Sequence, residues 1–292
     1  MSAEIGVDWD TLLRRIERGT CTPFLGAGAS GDAIPLGSQI AQQWALKYGY
    51  PLTDPHDLVQ VAQFLAVKKE PLYPKEEIQE LFSGYPSPKF APDHPYSVLA
   101  SLPLKIYLTT NYDDFMVQAL TMAGKKPVRE FCRWTSRPSF EAMPQVFDDA
   151  DFEPSVETPL VYHLHGEVEK PASLVLTEDD YVEFLVNMAR ADIIPPLIRA
   201  TMAESMLLFI GYRLADWSFR VLYRGVMKTI DQSGRVKNLT VQLEPGDIAA
   251  SPKEAKDYLE EYFNNMEVRV FWGKAQDFLT ELARQRAKRN GA

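Results

Sequence analysis

Cysteine is scarce in this sequence, and its scarcity excludes several classes of protein. The 292 residues contain two cysteines, Cys21 and Cys132. Two cysteines cannot supply a four-cysteine zinc site, and they do not indicate a disulfide scaffold. We therefore expect a protein of a reducing compartment, the cytoplasm, and no bound zinc.

Long apolar runs and an excess of basic residues are also missing. No stretch approaches the roughly 18 apolar residues that a membrane helix needs, and the opening residues, MSAEIGVDWD, contain acids and no apolar core of signal-peptide length. The formal net charge is -9, whereas nucleic-acid binding depends on clustered lysine and arginine. We expect neither membrane insertion nor direct nucleic-acid binding, and we interpret Arg213, Arg220 and Arg224 as a solvated helix face.

The apolar residues that are present, 46% of the chain, are arranged for an α/β fold. Segments with helical spacing alternate with short apolar runs, which we predict to be strands: TPFLGAG, KIYLTT, LVYHLHG, SLVLT, MLLFIGY, LTVQL and EVRVFW. Strands that are apolar throughout are typical of a parallel sheet covered on both faces. We predict one domain, residues 1–292, with a Rossmann-like parallel sheet, helices on both faces and a helical insertion.

Two segments interrupt this alternation. Residues 51–103 contain many prolines and short helical patterns, which predict the helical insertion, a possible lid. Residues 125–158 contain aromatic residues, prolines and an acidic stretch, and we predict a long loop with at most one peripheral strand. Loops of this length inside a domain are often functional. Both segments are candidates for gating or assembly surfaces.

The first candidate ligand-binding turn is GAGAS, Gly26 to Ser30, between a predicted strand and a predicted helix. Ligands of open α/β sheets bind beyond the carboxyl ends of strands, and glycines allow backbone to approach a phosphate. An ordinary strand-to-helix turn explains this motif equally well. No Gly-Lys-Ser/Thr follows the turn, which argues against a nucleoside triphosphatase.

Two further turns contain polar side chains after predicted strands. In TTNYDD, Asn111 can orient a water or a sugar hydroxyl, and Asp113 can accept a hydrogen bond from an amide. The alternative for Asp113 or Asp114 is an N-cap of the next helix. In HLHG, strand alternation places His163 and His165 on opposite faces, so His165 is the better site candidate, with a purely structural histidine as the alternative. No accompanying Cys/His set indicates a metal site.

A fourth turn, GYRLAD, begins at Gly211 and follows the strongest predicted strand. We expect Asp216 to cap a helix and Gly211 and Tyr212 to contact a ligand. In this order, the four turns resemble the sirtuin family, which carries a GAGxS turn followed by Ile-Pro, then TQNID, then His-Gly, then a glycine-containing strand end. The matching residues here are GAGAS with Ile34-Pro35, TTNYD, His165-Gly166 and GYRLAD, and the resemblance covers nearly the whole chain.

The departures from that family narrow the expected activity. The chain cannot supply the four-cysteine zinc module of protein-deacylating sirtuins, and the family's IPDFR is replaced by IPLGS at Ile34 to Ser38. In both respects it is similar to bacterial sirtuin-like domains that hydrolyse NAD during antiphage defence. The resemblance implies an NAD glycohydrolase that releases nicotinamide and ADP-ribose, with NAD as substrate, and that depletes NAD when activated.

The resemblance also implies a role for each matching residue. Binding of the pyrophosphate and the adjoining ribose is assigned to Gly26, Ala27, Gly28 and Ser30, and contact with the adenosine side to Gly211 and Tyr212. Asn111 would position the attacking water or the nicotinamide ribose, and Asp113 would contact the nicotinamide carboxamide. His165 would act as the general base on the ribose hydroxyls. Loss of the Asp and Arg of IPDFR leaves the details of nicotinamide binding open.

An NAD-destroying enzyme must be kept inactive until it is needed. We expect control by a homo-oligomer or filament, or by a regulatory protein partner such as a ring ATPase or an Argonaute-type protein; alternatively, the chain is part of a longer polypeptide. Two other functions remain open. One is an NAD- or ADP-ribose-binding sensor or partner-docking module without turnover, and the other is a structural subunit with a vestigial site.

Overall fold

Seven strands form one parallel sheet in the part of the chain that the computed structural model describes, residues 7–31, 33–188, 193–212, 223, 238–243 and 251–291. Their order across the sheet is β3-β4-β2-β1-β5-β6-β7, and every neighbouring pair is parallel. The strands are β1 Cys21–Leu25, β2 Ile106–Thr109, β3 Val128–Phe131, β4 Leu160–His163, β5 Met206–Ile210, β6 Asn238–Gln242 and β7 Val268–Trp272. The prediction of a Rossmann-like parallel sheet is confirmed.

Helices connect these strands. In the described ranges they are α1 Trp9–Glu17, α2 Gly37–Tyr48, α3 Leu58–Lys68, α4 Tyr73–Ser83, α5 Pro95–Ala100, α6 Phe115–Met122, α7 Pro138–Glu141, α8 Glu178–Met188, α9 Pro196–Glu204, α10 Pro252–Asn264 and α11 Ala275–Arg289. Asp216 and the helix that we expect it to cap, together with Arg213, Arg220 and Arg224, lie outside the described residues except for Tyr223. None of the described helices combines the length and the apolar character that crossing a membrane requires.

Both faces of the sheet are covered, because successive side chains of each strand enter different cores. Leu25 packs in one core with residues of α1, α5, α6 and α11, whereas Phe24 packs in the other with residues of α8, α9 and α10. Apolar residues on both faces of every central strand explain the continuous apolar runs in the sequence.

The segment 51–103 contains three helices that pack in different places. Helices α3 and α4 form a third apolar cluster with α2, to which Trp44, Leu65 and Ile78 belong. Helix α5 instead enters the first core through Tyr96, Val98 and Leu99. Helices α3 and α4 therefore lie at the periphery of the sheet, whereas α5 belongs to the helical layer that covers one of its faces.

The prediction of a strand at SLVLT, residues 173–177, is wrong. A 3-10 turn covers Pro171–Ser173, and no sheet pairing follows it. Both edges of β4 are already occupied by β2 and β3, so no position beside it remains. Leu174 and Leu176 instead pack against the cluster of α2, α3 and α4. The loop 125–158 contains one strand, β3, at the edge of the sheet.

The order of the strands places a crevice at the centre of the sheet. From β1 the chain builds one half of the sheet through β2, β3 and β4, and it then crosses to β5 on the other side of β1. Ligands of doubly wound sheets bind at such a reversal, outside the carboxyl ends of the strands. The turns after β1, β2, β4 and β5 surround this point.

Candidate active site

The glycine-rich turn after β1 packs backbone against backbone on the turn after β5. The N–H groups of Gly26 and Gly28 donate to the carbonyl oxygens of Ile210 and Gly211, each at 2.9 Å. A Cβ at Gly26 would lie 2.9 Å from the Gly211 oxygen, and a Cβ at Gly211, where φ is +83°, would lie 2.2 Å from the nitrogen of Ala29. These glycines are therefore required by the contact between the two turns, whatever the ligand.

The GAGAS turn does not continue directly into an α-helix. Ala27–Ser30 form a 3-10 turn, and α2 begins only at Gly37. Because Gly26 and Gly28 use their N–H groups inside the protein, those groups are not free for a phosphate in this conformation. The pyrophosphate-binding role of Gly26, Ala27, Gly28 and Ser30 stays a prediction.

Asn111 lies at the carboxyl end of β2 and is held by four hydrogen bonds. Its backbone N–H donates to Thr109 Oγ1 at 2.9 Å, and its carbonyl oxygen pairs with His163 Nδ1 at 3.0 Å. Its side-chain Nδ2 donates to the Gly26 oxygen and to the Tyr96 hydroxyl, both at 3.1 Å. The residue is only 7% exposed. The turn after β2 is thereby joined to the turn after β1.

Asp113 is a buried carboxyl group beside this network. Its Oδ1 accepts from the N–H of Phe115 at 3.0 Å, as an N-cap does, while its Oδ2 has no hydrogen-bond partner among the described residues. Burial raises the pKa of Asp113 to about 7, although the bond from Phe115 and the nearby Ser30 hydroxyl act in the opposite direction. Asp113 is therefore suited to exchange a proton near neutral pH.

The two histidines are both buried, and they differ in their surroundings. The ring of His165 meets those of Tyr181 and Phe184 on α8 edge-on, with centroids 5.3 and 5.1 Å apart, and its Nε2 has no partner among the described residues. Burial lowers the pKa of His165 to about 3 and that of His163 to about 4. Both imidazoles are neutral at pH 7. In the described part of the chain no side-chain hydrogen bond joins His165 to Asn111, and its role as a base stays a prediction.

Tyr212 closes the site on the β5 side. Its hydroxyl donates to the Leu25 oxygen at 2.9 Å and lies 2.8 Å from Thr110 Oγ1. Its ring stands edge-on to Phe24, with centroids 5.9 Å apart. Gly211 and Tyr212 thus lie beside the GAGAS turn, and their contact with a ligand remains a prediction.

A cavity of about 600 Å³ opens beside Asp113. Helix α4 forms one wall with Glu76 and Phe82, and the start of α6 forms another with Asp114 and Phe115. The described walls carry several carboxylates and no lysine or arginine. Aromatic and acidic side chains together suit a flat group that carries a positive charge or N–H donors.

Tyr96 is the site residue that the sequence analysis missed. Its hydroxyl lies 3.0 Å from Ser30 Oγ and accepts from Asn111 Nδ2, so it joins two predicted site residues. It comes from α5, in the segment interpreted as an insertion, where HPYSVLA shows only helical apolar spacing. No local signal distinguishes it from an ordinary core tyrosine.

No three His, Cys, Asp or Glu side chains in the described ranges are arranged to hold a metal ion. The site is instead built from a glycine turn, an asparagine turn and buried polar side chains at the centre of a doubly wound parallel sheet, an arrangement typical of dinucleotide-binding α/β domains. The chain belongs to the SIR2-like family, because residues 105–270, more than half of it, match a SIR2-like domain. The resemblance to sirtuins is confirmed.

Curated relatives carry the name NAD(+) hydrolase ThsA. Those from Cytobacillus dafuensis and Enterococcus faecium are 26% and 24% identical to this chain, over 224 and 215 residues. The matches cover 76% and 72% of this chain and 41% of each relative. A relative from Bacillus cereus strain MSX-D12 is 27% identical over 197 residues, 66% of this chain and 37% of its own length. The chain thus spans about two fifths of the length of these relatives.

Proposed function

We propose that this protein is an NAD glycohydrolase that cleaves NAD to nicotinamide and ADP-ribose. Membership of the SIR2-like family supports the proposal, and so do four relatives that carry the name NAD(+) hydrolase. The observation that carries it is the fixed carboxamide of Asn111 at the centre of the sheet, tied to the Gly26 turn and two residues before the buried carboxyl of Asp113.

The proposed reaction is a displacement at the anomeric carbon of the nicotinamide ribose. The bond from C1′ to the pyridinium nitrogen breaks, and its electron pair neutralises the nicotinamide, which leaves. The oxygen of a water forms the new bond to C1′, and the water gives up a proton. Because the transition state resembles an oxocarbenium ion, the protein must place the water and stabilise positive charge on the sugar.

Two residues are candidates to receive that proton. The resemblance assigns it to His165, whose ring is packed against Tyr181 and Phe184 in the described conformation. Asp113 has a pKa of about 7 and borders the cavity beside α4. A base works best when its pKa lies near the operating pH. Because burial lowers the pKa of His165 to about 3, we infer that His165 acts as the base only after its surroundings on α8 rearrange. We assign Asp113 to the nicotinamide ring of bound NAD, because the acidic walls of the cavity favour the positive charge that this ring carries before cleavage.

The test is chromatography of NAD after incubation with the purified protein. We expect wild type to release nicotinamide and ADP-ribose, and Asn111→Ala and His165→Ala to lower the rate by roughly 10²- to 10⁴-fold each. Asn290→Ala and His56→Ala change exposed residues of the same types and should retain full activity. Full activity of Asn111→Ala and His165→Ala would show that the site assignment is wrong.

A second candidate function is an NAD- or ADP-ribose-binding sensor without turnover. The burial of His165, 4% exposed, favours it because the described conformation offers no accessible imidazole at the sheet centre. A sensor would melt at a higher temperature with NAD or ADP-ribose, yet it would release no nicotinamide. Release of nicotinamide by wild type, but not by Asn111→Ala, would eliminate this alternative.

We also propose a biological role, NAD depletion as an antiphage effector held inactive until it is triggered. Control by a homo-oligomer, or by a protein partner such as a ring ATPase or an Argonaute-type protein, would provide the repression. Within a single domain, the insertion at residues 51–103 would supply a lid through its peripheral helices α3 and α4. Cellular NAD measured after phage infection tests the role. NAD should fall in cells with wild type and hold steady in cells with Asn111→Ala, whereas equal NAD levels would contradict it.

A further inference from the structure

The hydroxyl of Tyr96 stands between two turns of the sheet. Tyr96 lies on α5, is 1% exposed, and contacts Ser30, which follows β1, and Asn111, which follows β2. These partners are 66 and 15 residues away in the sequence. A buried tyrosine hydroxyl needs a partner, and here both partners are residues predicted to contact the substrate.

The chemistry of the groups determines the direction of each hydrogen bond. An amide nitrogen only donates and a carbonyl oxygen only accepts, so the two hydrogens of Asn111 Nδ2 go to the Gly26 oxygen and to the Tyr96 oxygen. The reverse orientation of the carboxamide would set its oxygen against the Gly26 carbonyl. Asn111 Oδ1 is consequently the atom that remains to accept a hydrogen bond from a ribose hydroxyl or a water.

The network continues beyond Tyr96. Its hydroxyl lies 3.0 Å from Ser30 Oγ, and either oxygen can donate in this bond. The Ser30 hydroxyl in turn lowers the pKa of Asp113, against the larger effect of burial. One hydroxyl on α5 thus orders the side chains of Asn111 and Ser30 together.

We propose that Tyr96 is a positioning residue for NAD cleavage: its hydroxyl holds the Asn111 carboxamide with Oδ1 directed to the substrate and fixes the rotamer of Ser30. This inference rests on the proposed function. Tyr96 touches no reacting atom and acts through Asn111. It also makes α5, a helix outside the matched SIR2-like segment of residues 105–270, part of the catalytic machinery.

A matched pair of variants separates this role from simple core packing. Tyr96→Phe removes the hydroxyl and keeps the ring, which stacks on His94 with centroids 5.7 Å apart. Tyr107→Phe removes an equally buried hydroxyl that donates to the Leu99 oxygen of the same helix α5 at 3.0 Å, a bond that involves neither Asn111 nor Ser30. Both variants should lose a similar, small amount of thermal stability, about the contribution of one hydrogen bond.

Steady-state kinetics give the first readout. We expect Tyr96→Phe to lower kcat by about 10- to 100-fold and to change KM by less than about 3-fold. The reason is that a misplaced Asn111 carboxamide slows the chemical step more than it weakens the binding of NAD. Tyr107→Phe should change neither kcat nor KM. In an Asn111→Ala background, Tyr96→Phe should cause no further loss, whereas losses that multiply would show an action independent of Asn111 and overturn the proposal.

The side-chain amide resonances of Asn111 give a readout that does not depend on activity. Tyr96→Phe should shift these NMR signals and speed their exchange with water, and Tyr107→Phe should leave them unchanged. If wild type cleaves no NAD, this comparison alone decides whether Tyr96 holds the carboxamide. Unchanged Asn111 signals in Tyr96→Phe would overturn the inference in either case.

Discussion

Asp113 shows how the environment of one residue changes its chemistry. In an unfolded chain this carboxyl titrates near 3.8, whereas burial in the protein raises its pKa to about 7. Between these values the folded protein keeps a proton that the unfolded chain has lost. The contribution of Asp113 to stability is therefore fully present below pH 3.8 and is lost as the pH rises through about 7.

We predict that Asp113→Asn, which cannot ionise, removes this dependence. Relative to wild type, the variant should gain about 4 kcal/mol of stability as the pH rises from 4 to 8, because wild type then carries a buried charge. Denaturant unfolding at several pH values measures this difference in the free energy of unfolding between Asp113→Asn and wild type. Asp149→Asn changes an exposed aspartate whose Oδ1 accepts from the N–H of Asp151 at 3.0 Å, and serves as the control. A pH-independent difference between wild type and Asp113→Asn would contradict the pKa assignment.

At the scale of elements, the contact between the turns after β1 and β5 is the most demanding feature. The backbone of Gly211 approaches Gly26, Gly28 and Ala29 so closely that no side chain fits. The sequence analysis explained these glycines by phosphate binding or by an ordinary turn. The structure shows a further cause, the packing of one strand end against another, which a local motif does not reveal.

We predict that Gly211→Ala destabilises the protein by more than about 3 kcal/mol, since the new Cβ would meet main-chain atoms that cannot move independently. Gly124→Ala is the matched control. Its φ of +80° is similar, but no atom lies within 4 Å of the added Cβ, so only the conformational cost of about 1 kcal/mol remains. Urea unfolding curves compare the two variants, and equal losses would refute the role of the contact.

At the scale of the whole molecule, a buried ion pair ties the peripheral helices to the sheet layer. Lys75 on α4 lies 2.7 Å from Asp180 on α8, with side chains 3% and 12% exposed. The other Asp180 oxygen accepts from the N–H groups of Leu176 and Thr177. Lys75 also lies over the ring of the buried Trp134. This pair holds α4, one wall of the cavity, against the rest of the chain.

We predict that Lys75→Met destabilises the protein by about 3 kcal/mol, because it leaves the carboxylate of Asp180 buried without its countercharge. Arg14→Ala breaks the exposed ion pair with Asp10, whose side chains are 51% and 64% exposed, and should cost less than about 1 kcal/mol. Melting temperatures at low and high salt compare the stability losses of Lys75→Met and Arg14→Ala. A loss in Lys75→Met no larger than that in Arg14→Ala would indicate that α4 is held by its apolar contacts alone.

The sequence by itself determined the class of fold and the positions of the turns. Apolar runs and helical spacing are local consequences of burial, so the strands at Cys21–Leu25, Ile106–Thr109 and Met206–Ile210 were predictable, and so was the place of Asn111 after a strand. The rule that a short apolar run predicts a strand failed for residues 173–177. Such a run indicates that a segment is buried, but it does not indicate which part of the protein buries it.

Only the tertiary structure decided which polar groups meet and how they titrate. Tyr96 reaches Ser30 across 66 residues of sequence, and His165 is enclosed by two rings of α8 rather than exposed at the sheet centre. The pKa of Asp113 likewise depends on burial by several distant elements. Hydrogen bonds and desolvation depend on distances between residues that are far apart in the chain. Local patterns in a single sequence do not predict those distances.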